Sequence, residues 1–359
     1  MSLSPVLLDL NTPQRFYRGG RKILDFRGIL VDHGFDDRRP EDWLASTTRL
    51  FAEGGDGLTL LPEGVTLAAE LDRNAEAWLG SGHTDRHGSA PGLLVKLLDA
   101  AERLPVHVHP DRGFARDHLH SPHGKTEAWL VLHADPGARV WLGFREDVST
   151  SALTAMVDAQ DDQLLAALND FPVERGDTVL VPAGQPHAIG AGVFAVELQE
   201  PTDFSVMLEH ERFGLDANQS WLGLDRALAL TSVTRDALGD RELGALRRRW
   251  DRVEVPVTSA LPAAADPFFR ADVLDSHHGA ARAEAGFSVV VVVDGDGRLL
   301  TDGGHDLHVR RGQVLLTPYS CGGLTLTGAA TAIRCRPGAD DPHPSGARVP
   351  GRSNPQMED

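Results

Sequence analysis

Residues 173–199, VERGDTVLVPAGQPHAIGAGVFAVELQ, show most clearly which kind of fold this chain adopts. Short runs of aliphatic and β-branched residues alternate there with turns that contain glycine and proline, which is typical of β-strands. Comparable runs lie at 138–144, 287–304, 313–319 and 323–335. Many short strands at regular spacing predict a mainly β fold, either a sandwich or a barrel.

A second segment repeats this pattern further along the chain. Residues 309–335, VRRGQVLLTPYSCGGLTLTGAATAIRC, again contain V-x-R-G, a β run, a proline turn and another β run. Duplication of one β unit explains the match. The second copy contains neither histidine nor glutamate, so we expect it to complete the core without binding a metal. The DGDG sequence at 294–297 predicts a hairpin within this half.

Helical patterns are fewer and lie mainly between the two β-rich regions. Residues 161–171 predict a short amphipathic helix with acidic residues in its first turn. Residues 220–250 predict two helices that meet near Gly239. Residues 92–104 fit either a helix or a buried strand, because periodicity alone does not separate these two for a short apolar run.

These patterns predict four segments. We expect an N-terminal metal-binding domain over 1–210, a helical connector over 211–256, and a second β domain without metal ligands over 257–340. Residues 341–359, rich in proline, glycine, aspartate and arginine, are predicted to form a weakly ordered tail.

The charge and the ends of the chain narrow the choice of partners and compartment. The 359 residues include 35 basic and 52 acidic side chains, a formal charge of −17. Such a surface repels nucleic acid and anionic membranes, so we expect neither as a partner. No apolar run is long enough to span a bilayer, and the first residues lack the basic and apolar regions of a signal peptide. With Cys321 and Cys335 read as buried thiols, the chain is predicted to be cytoplasmic.

Four residues in this chain predict a metal site. His107 and His109 are two residues apart in HVHPD, so on a strand both side chains point to one face. Glu127 begins a β run in GKTEAW, and His187 follows the turn in PAGQPHAIG. Three imidazoles and one carboxylate at strand ends form a mononuclear site for Zn, Mn, Fe, Ni or Co rather than Mg or Ca. The other nearby histidines, which are His118, His120, His123 and His133, are expected to be surface or packing residues.

The motifs around these residues resemble those of a known enzyme family. The stretches GLLVKLLDAAERLPVHVHPD, GKTEAWLVLHADPGARVWLGF, RGDTVLVPAGQPHAIGAGVFAVELQEPTDFS and LGLDRALAL are similar to those of type I phosphomannose isomerases, in particular the shorter bacterial branch. The resemblance covers most of 90–230 and continues weakly at 17–26, 40–47 and 266–274.

This resemblance implies a fold and an activity. Family members are cupin proteins, so it implies two jelly-roll β-barrel domains with a small helical segment between them. It also implies a zinc-dependent conversion of mannose 6-phosphate to fructose 6-phosphate through a cis-enediol. The family ligands, a Gln, a His, a Glu and a His, correspond here to His107, His109, Glu127 and His187, so His107 replaces the Gln. Lys125 and Asp203 match positions that the family uses in catalysis.

One position departs from the family pattern. The family has an arginine four residues after the aspartate that corresponds to Asp203, and this chain has Met207 there. Arg212 is the nearest later arginine and is predicted to bind substrate in its place. The departure leaves three other functions open: an isomerase for a different or non-phosphorylated sugar, a metal-cupin dioxygenase, and a non-catalytic sugar-binding cupin.

Overall fold

The computed structural model describes residues 2–30, 34–51, 57–217, 219–252 and 255–339. The predicted tail over 341–359 lies outside these ranges. The strands, in chain order, are β1 (Val6–Leu7), β2 (Glu41–Leu44), β3 (Leu94–Asp99), β4 (His107–Val108), β5 (Glu127–Ala134), β6 (Arg139–Phe144), β7 (Leu168–Pro172), β8 (Asp177–Val181), β9 (His187–Ile189), β10 (Val193–Gln199), β11 (Val206–Met207), β12 (Arg247–Arg249), β13 (Val257–Ser259), β14 (Phe269–Asp275), β15 (Ala281–Ala283), β16 (Ser288–Thr301), β17 (Asp306–Arg310), β18 (Val314–Thr317) and β19 (Leu324–Pro337).

Short helices lie between these strands. They are α1 (Arg21–Arg27), α2 (Leu67–Leu79), α3 (Ser81–His87), α4 (Arg112–Leu119), α5 (Thr150–Ala159), α6 (Gln163–Ala166), α7 (Arg226–Leu230) and α8 (Asp240–Ala245). Among the described residues, no helix is both long enough and apolar enough to cross a membrane.

The strands form three antiparallel sheets, which agrees with the predicted mainly β cupin fold. A six-stranded sheet has the order β12-β8-β5-β10-β3-β2, and a five-stranded sheet has the order β11-β4-β9-β6-β7. The third sheet has the order β1-β18-β16-β19-β14-β13, with β15 added on β19 and β17 added on β16. The first two sheets make the N-terminal sandwich, and the third belongs to the C-terminal half.

Strand alternation explains how the six-stranded sheet packs on both faces. In β10, Val196 and Leu198 join an apolar cluster that also contains Val291 of β16. The intervening residue Ala195 joins a second cluster, which contains Val140 of the five-stranded sheet. Because successive side chains on a strand point to opposite faces, β10 is buried on both sides. Glu197 shares the face of Ala195 and therefore points between the two sheets of the N-terminal sandwich.

Two short strands cross the predicted domain boundaries. The N-terminal β1 pairs with β18 of the C-terminal half through Val6 and Leu316. Strand β12, within the predicted connector, pairs with β8 of the N-terminal sheet through Arg247 and Val179. The boundaries at 210, 256 and 340 remain predictions, but each half receives one strand from outside its predicted range.

The repeated V-x-R-G segments form equivalent turns. Gly176 connects β7 to β8 with φ 96°, and Gly312 connects β17 to β18 with φ 90°. A side chain rarely adopts this left-handed backbone conformation, which is why glycine occupies both turns. The two copies therefore share their turn geometry as well as their sequence pattern.

Several local predictions were wrong or only partly right. The apolar run in 92–104 forms strand β3 between β10 and β2. Residues 161–171 contain only the four-residue helix α6 before β7 begins. The two helices predicted in 220–250 are α7 and α8, of which α8 begins directly after Gly239, but both are short, and the basic end of the segment forms β12 instead of a helical turn. The DGDG sequence does not turn the chain, because β16 runs through it from Ser288 to Thr301 with a bulge near Val292.

Candidate metal centre

Three histidines meet at one end of the five-stranded sheet. His107 on β4 and His187 on β9 are direct cross-strand partners, and His109 follows two residues after His107. The ring centroids of His107 and His187 are 4.2 Å apart, and that of His109 is 4.9 Å from His107 and 4.8 Å from His187. All three side chains are buried. Strand pairing therefore brings the three imidazoles together, as their spacing predicts.

Backbone hydrogen bonds fix which ring nitrogen of each histidine is free. Nδ1 contacts the Pro105 carbonyl at 2.9 Å in His107, the Phe204 carbonyl at 2.7 Å in His109, and the Gln185 carbonyl at 2.9 Å in His187. A carbonyl oxygen only accepts, so each Nδ1 carries a proton, and the lone pair of each ring in its neutral form is on Nε2. One ring nitrogen from each histidine lies within 4.8 Å of the others, close enough to share a metal ion.

Glu127 adds a carboxylate to this group from the opposite sheet. Its Oε2 lies 2.9 Å from His109 Nε2, and its Oε1 lies 3.3 Å from His187 Nε2. Trp129 Nε1 donates a hydrogen bond to Oε1 at 3.0 Å and orients the group. Glu127 Oε2 and His187 Nε2 are buried and have no well-oriented hydrogen-bond partner. Buried acceptors left in this way are what a metal ion would satisfy.

Burial and nearby charge keep these residues in the form that binds a metal. Burial, with the Lys125 ammonium, lowers the pKa of His109 to about 3. Burial and the neighbouring His187 and His109 hold the pKa of His107 well below its usual value. Burial alone would raise the pKa of Glu127, but Lys125 and the neighbouring His109 and His187 together outweigh it and hold that pKa well below its usual range. The two imidazoles are therefore neutral and the carboxylate is ionised near pH 7, as metal coordination requires.

Lys125 lies directly beside this group. Its Nζ is 3.0 Å from His109 Nε2 and 3.2 Å from Glu127 Oε2, and its side chain is only 6% exposed. His109 Nε2 and Glu127 Oε2 thus already have one cationic group, the Lys125 ammonium, as a neighbour. The side chain is fixed next to the candidate ligands instead of extending into solvent.

Asp203 does not lie free beside the candidate ligands but is bound to an arginine. Arg15 Nη1 and Nη2 donate to its two carboxylate oxygens, each at 3.2 Å. The backbone N–H of Phe51 also donates to Asp203, at 3.3 Å. Asp203 thus positions Arg15, a contact that the sequence does not predict.

Arg212 lies away from this group. It follows β11 in a 3-10 turn, its side chain is about half exposed, and its Nη1 contacts Asp162 at 2.7 Å. Its position five residues after Met207 does not bring it to the site, so the substrate-binding prediction for Arg212 gains no support from this arrangement. Arg15 is the arginine that the fold brings close to Asp203 instead.

A cavity between the two N-terminal sheets opens onto the candidate ligands. Its wall includes His107, Ser205 and Met207, together with six charged residues: Arg15, Glu41, Lys96, Lys125, Glu127 and Glu197. Lys96 Nζ lies 3.4 Å from Glu41 and 3.5 Å from Glu197. Burial raises the pKa of Glu197.

Sequence reasoning missed several of these wall residues. Lys96 was detectable, because it is a single lysine inside the apolar run LLVKLLD, where a buried charge needs a partner. Glu197 carries the same signal in the apolar run VFAVELQ, whereas Arg15 and Glu41 carry none. Tertiary packing alone brings them together.

The histidines of the 118–123 loop do not join the site. Within the described ranges, the only cluster of histidine, cysteine or acidic side chains with metal-binding spacing is the one formed by His107, His109 and His187. His118 packs on Phe114 within α4, and His120 ends that helix with φ 54°. His133 is exposed and pairs with Asp135 at 2.9 Å. These residues have the surface and packing roles expected for them.

Comparison with known proteins identifies relatives of this chain. No family model matches the chain. The chain is 26% identical over 321 residues to mannose-6-phosphate isomerase ManA of Bacillus subtilis strain 168, covering 88% of this chain and 93% of that protein. The crystal structure of mannose 6-phosphate isomerase from Bacillus subtilis superposes with a TM-score of 0.72 at 22% identity, covering 93% of this chain and all of that one.

A further solved structure, a mannose 6-phosphate isomerase bound with zinc and yttrium, superposes with a TM-score of 0.68 at 15% identity. It covers 94% of this chain and 100% of that one. At such identities the structures establish the fold, whereas the full-length sequence match and the histidine cluster point to the same family as the motifs. The chain is therefore similar over most of its length to mannose-6-phosphate isomerases and shares the fold of their solved structures.

Proposed function

We propose that this protein is a metal-dependent aldose–ketose isomerase that interconverts mannose 6-phosphate and fructose 6-phosphate. The observation that carries the proposal is the convergence of three imidazole Nε2 atoms and the Glu127 carboxylate beside Lys125, in a chain that matches a mannose-6-phosphate isomerase over 88% of its length. The reaction moves hydrogen between C1 and C2 through a cis-enediol.

We propose His107, His109, Glu127 and His187 as the metal ligands, with zinc as the resident ion. The donor set fits zinc, because imidazole and carboxylate are common zinc ligands. One zinc-bound solved structure has the same fold. The same donors also fit Mn, Fe, Ni or Co. When bound, the metal would polarise the sugar carbonyl and stabilise negative charge on its oxygen.

The protein's own residues would orient the sugar and move its proton. Lys125 is fixed beside the ligands, where its ammonium can donate a hydrogen bond to a sugar oxygen and exchange a proton. Asp203, predicted to act in catalysis, would act through Arg15, whose guanidinium it holds with two hydrogen bonds. The closely packed sheets around the cavity would keep bulk water from a reactive enediol.

One observation favours a second candidate function. Met207 gives the cavity wall an apolar residue where the family has a cation, which favours an isomerase for a non-phosphorylated sugar. Mannose 6-phosphate and free mannose therefore need to be compared side by side. In either case the partner is a small sugar, and a cytoplasmic location without nucleic-acid or membrane partners remains part of the proposal.

A coupled assay tests the proposal. Purified protein is assayed for conversion of mannose 6-phosphate to fructose 6-phosphate, as isolated, after treatment with a chelator, and after addition of zinc. We expect activity that is lost on chelation and restored by zinc. Conversion that survives complete metal removal would contradict the metal-dependent mechanism. Parallel measurement of oxygen consumption would identify a dioxygenase.

A further inference from the structure

The cations of the active-site cavity differ in how far they are available to a ligand. Lys125 is engaged beside the candidate metal ligands, with its Nζ 3.2 Å from Glu127. Lys96 is 2% exposed and lies between Glu41 and Glu197. The Arg15 side chain is 14% exposed, more than that of either lysine. Of the cations on this wall, Arg15 therefore has the most solvent-exposed side chain.

We propose that Arg15 binds the anionic group of the substrate and sets the preference of this enzyme for a phosphorylated sugar. This inference rests on the proposed isomerase function and names the residue that recognises the phosphate. Phosphate recognition is thus assigned to the N-terminal segment and not to β11, which contributes Met207 to the cavity wall.

Arg15 keeps hydrogen-bonding capacity after its contacts within the protein. A guanidinium has five N–H donors. Two of them, one on each Nη, bond to Asp203. Nε lies 3.3 Å from Glu41 but makes no well-oriented hydrogen bond, and it is buried. One N–H on each Nη, two in all, therefore remains for a phosphate, which guanidinium recognises with paired hydrogen bonds.

The contacts of Arg15 also make it well positioned for this role. The two bonds to Asp203 fix the guanidinium plane, and Asp203 is itself held by the backbone N–H of Phe51. A guanidinium fixed before the ligand arrives loses little conformational freedom on binding. Asp203 is thus a positioning residue in this proposal.

The placement of Arg15 suits a sugar whose phosphate lies far from the reacting carbons. In mannose 6-phosphate the phosphate is on C6, while the reaction takes place at C1 and C2. The cation that binds it must therefore stand apart from the metal ligands. Lys125 contacts those ligands directly, whereas Arg15 contacts Asp203 and Glu41.

The charges around the cavity also favour an anion once a metal is bound. Arg15, Lys96 and Lys125 balance Glu41, Glu127 and Glu197 on the wall. Asp203, behind Arg15, adds one negative charge, and a divalent ion adds two positive charges. The site then carries a net positive charge within a protein of formal charge −17, which provides the local attraction that a phosphate requires.

The test compares phosphorylated and free sugar in Arg15 variants. Arg15→Met is expected to raise KM for mannose 6-phosphate about 10- to 100-fold, because charge-assisted hydrogen bonds are lost. KM for free mannose should stay within about twofold, and inhibition by inorganic phosphate should weaken in parallel with the KM for mannose 6-phosphate. Arg15→Lys keeps the charge without the paired donors, so we expect an intermediate KM.

Two further variants serve as a control for nonspecific effects and as a test of whether an arginine at position 207 can replace Arg15. Arg18→Met serves as the matched control, because Arg18 lies three residues away, is exposed and pairs with Asp37. It should leave both KM values unchanged. If Arg15→Met does not fold, Arg15→Lys and the double variant Arg15→Met/Met207→Arg decide the question. The double variant should recover part of the affinity for mannose 6-phosphate.

The outcomes separate this inference from the proposed function. If the ratio of KM for mannose 6-phosphate to KM for free mannose is unchanged in Arg15 variants that fold, the inference is overturned. The proposed isomerase function is unaffected by that result. A selective loss of phosphate preference in Arg212→Met would also overturn the inference. If the wild-type protein turns over neither sugar, calorimetric titration with inorganic phosphate still applies: binding to wild type but not to Arg15→Met supports the inference, and no binding to wild type overturns it.

Discussion

His107 and His187 face each other directly across the β4–β9 pair, and their imidazole centroids lie 4.2 Å apart. We expect one of these two candidate ligands to be replaceable and the other not. The family that the sequence resembles has Gln at the position of His107, so we expect an oxygen donor to be compatible with the site there. His187 is fully buried, and its Nε2 has no hydrogen-bond partner within the protein.

We therefore expect His187→Ala to lose the metal and His107→Gln to retain it. Metal per chain is measured by mass spectrometry after dialysis against a weak chelator. His133→Ala is the control, because His133 is exposed and pairs with Asp135. Equal metal content in His187→Ala and His133→Ala would contradict the ligand assignment.

Replacement of Lys125 separates catalysis from metal binding. Lys125→Met removes the ammonium that lies beside His109 and Glu127 but leaves all four candidate ligands in place. We expect the metal content to be retained and kcat to fall about 100-fold or more, as for loss of a proton-transfer group. Lys22→Met is the matched control, because Lys22 contacts Asp99 and Asp135 outside the cavity. A wild-type kcat in Lys125→Met would show that this lysine is not catalytic.

The buried histidines predict how stability depends on pH in metal-free protein. Burial, aided by Lys125, lowers the pKa of His109 from 6.5 to about 3, so between these values the unfolded chain binds more protons than the folded chain. Stability then rises with pH across this window, and His109 costs about 1.4 kcal/mol for each pH unit below 6.5.

Chelator-treated protein should therefore lose stability between pH 6.5 and pH 5.5, and His109→Asn should lose less. The free energy of unfolding in urea at each pH measures the difference. Identical slopes in the two proteins would show that His109 is not held neutral by its surroundings.

Two glycines with similar backbone angles test how the repeated turn is packed. A Cβ at Gly312 would lie 1.9 Å from the carbonyl oxygen of Phe26, at the end of α1. At Gly304, with φ +87°, a Cβ would meet no atom within 4 Å. Gly304→Ala should cost about 1–2 kcal/mol from backbone conformation alone. Gly312→Ala should lower the free energy of unfolding in urea by clearly more, because the backbone at Phe26 or at Gly312 must move to make room for the Cβ. Equal losses of unfolding free energy in the two variants would mean that the end of α1 shifts without cost to accommodate the added Cβ.

The fold class and the clustering of the three histidines could be predicted from the sequence because both rest on short-range patterns. Period-two strands, the V-x-R-G turns and the spacing of His107 and His109 all operate within a few residues. The strand pairing that brings His187 opposite His107 follows from the same alternation. Local rules of this kind are sufficient when a ligand lies on a strand that pairs with its neighbour.

The features that the sequence did not predict depend on packing between residues that are distant in the chain. The DGDG segment does not turn, because Gly295 allows close approach to the Ala329 carbonyl on β19, where a Cβ would come within 1.8 Å. The basic residues predicted to end a helix instead pair with the edge of β8. Arg212 lies in a 3-10 turn and contacts Asp162, and its role in substrate binding stays a prediction. Arg15, from a segment without any motif, arrives at the site through its bonds to Asp203.

The most direct test of the central claim is nuclear magnetic resonance of mannose 6-phosphate in D₂O with zinc-loaded protein. We expect fructose 6-phosphate to appear and deuterium to enter at C1, the carbon that receives the transferred hydrogen. Neither change should occur with His109→Ala or with chelated protein. Formation of fructose 6-phosphate at the same rate in wild type, His109→Ala and chelated protein would contradict a metal-dependent isomerase at this site.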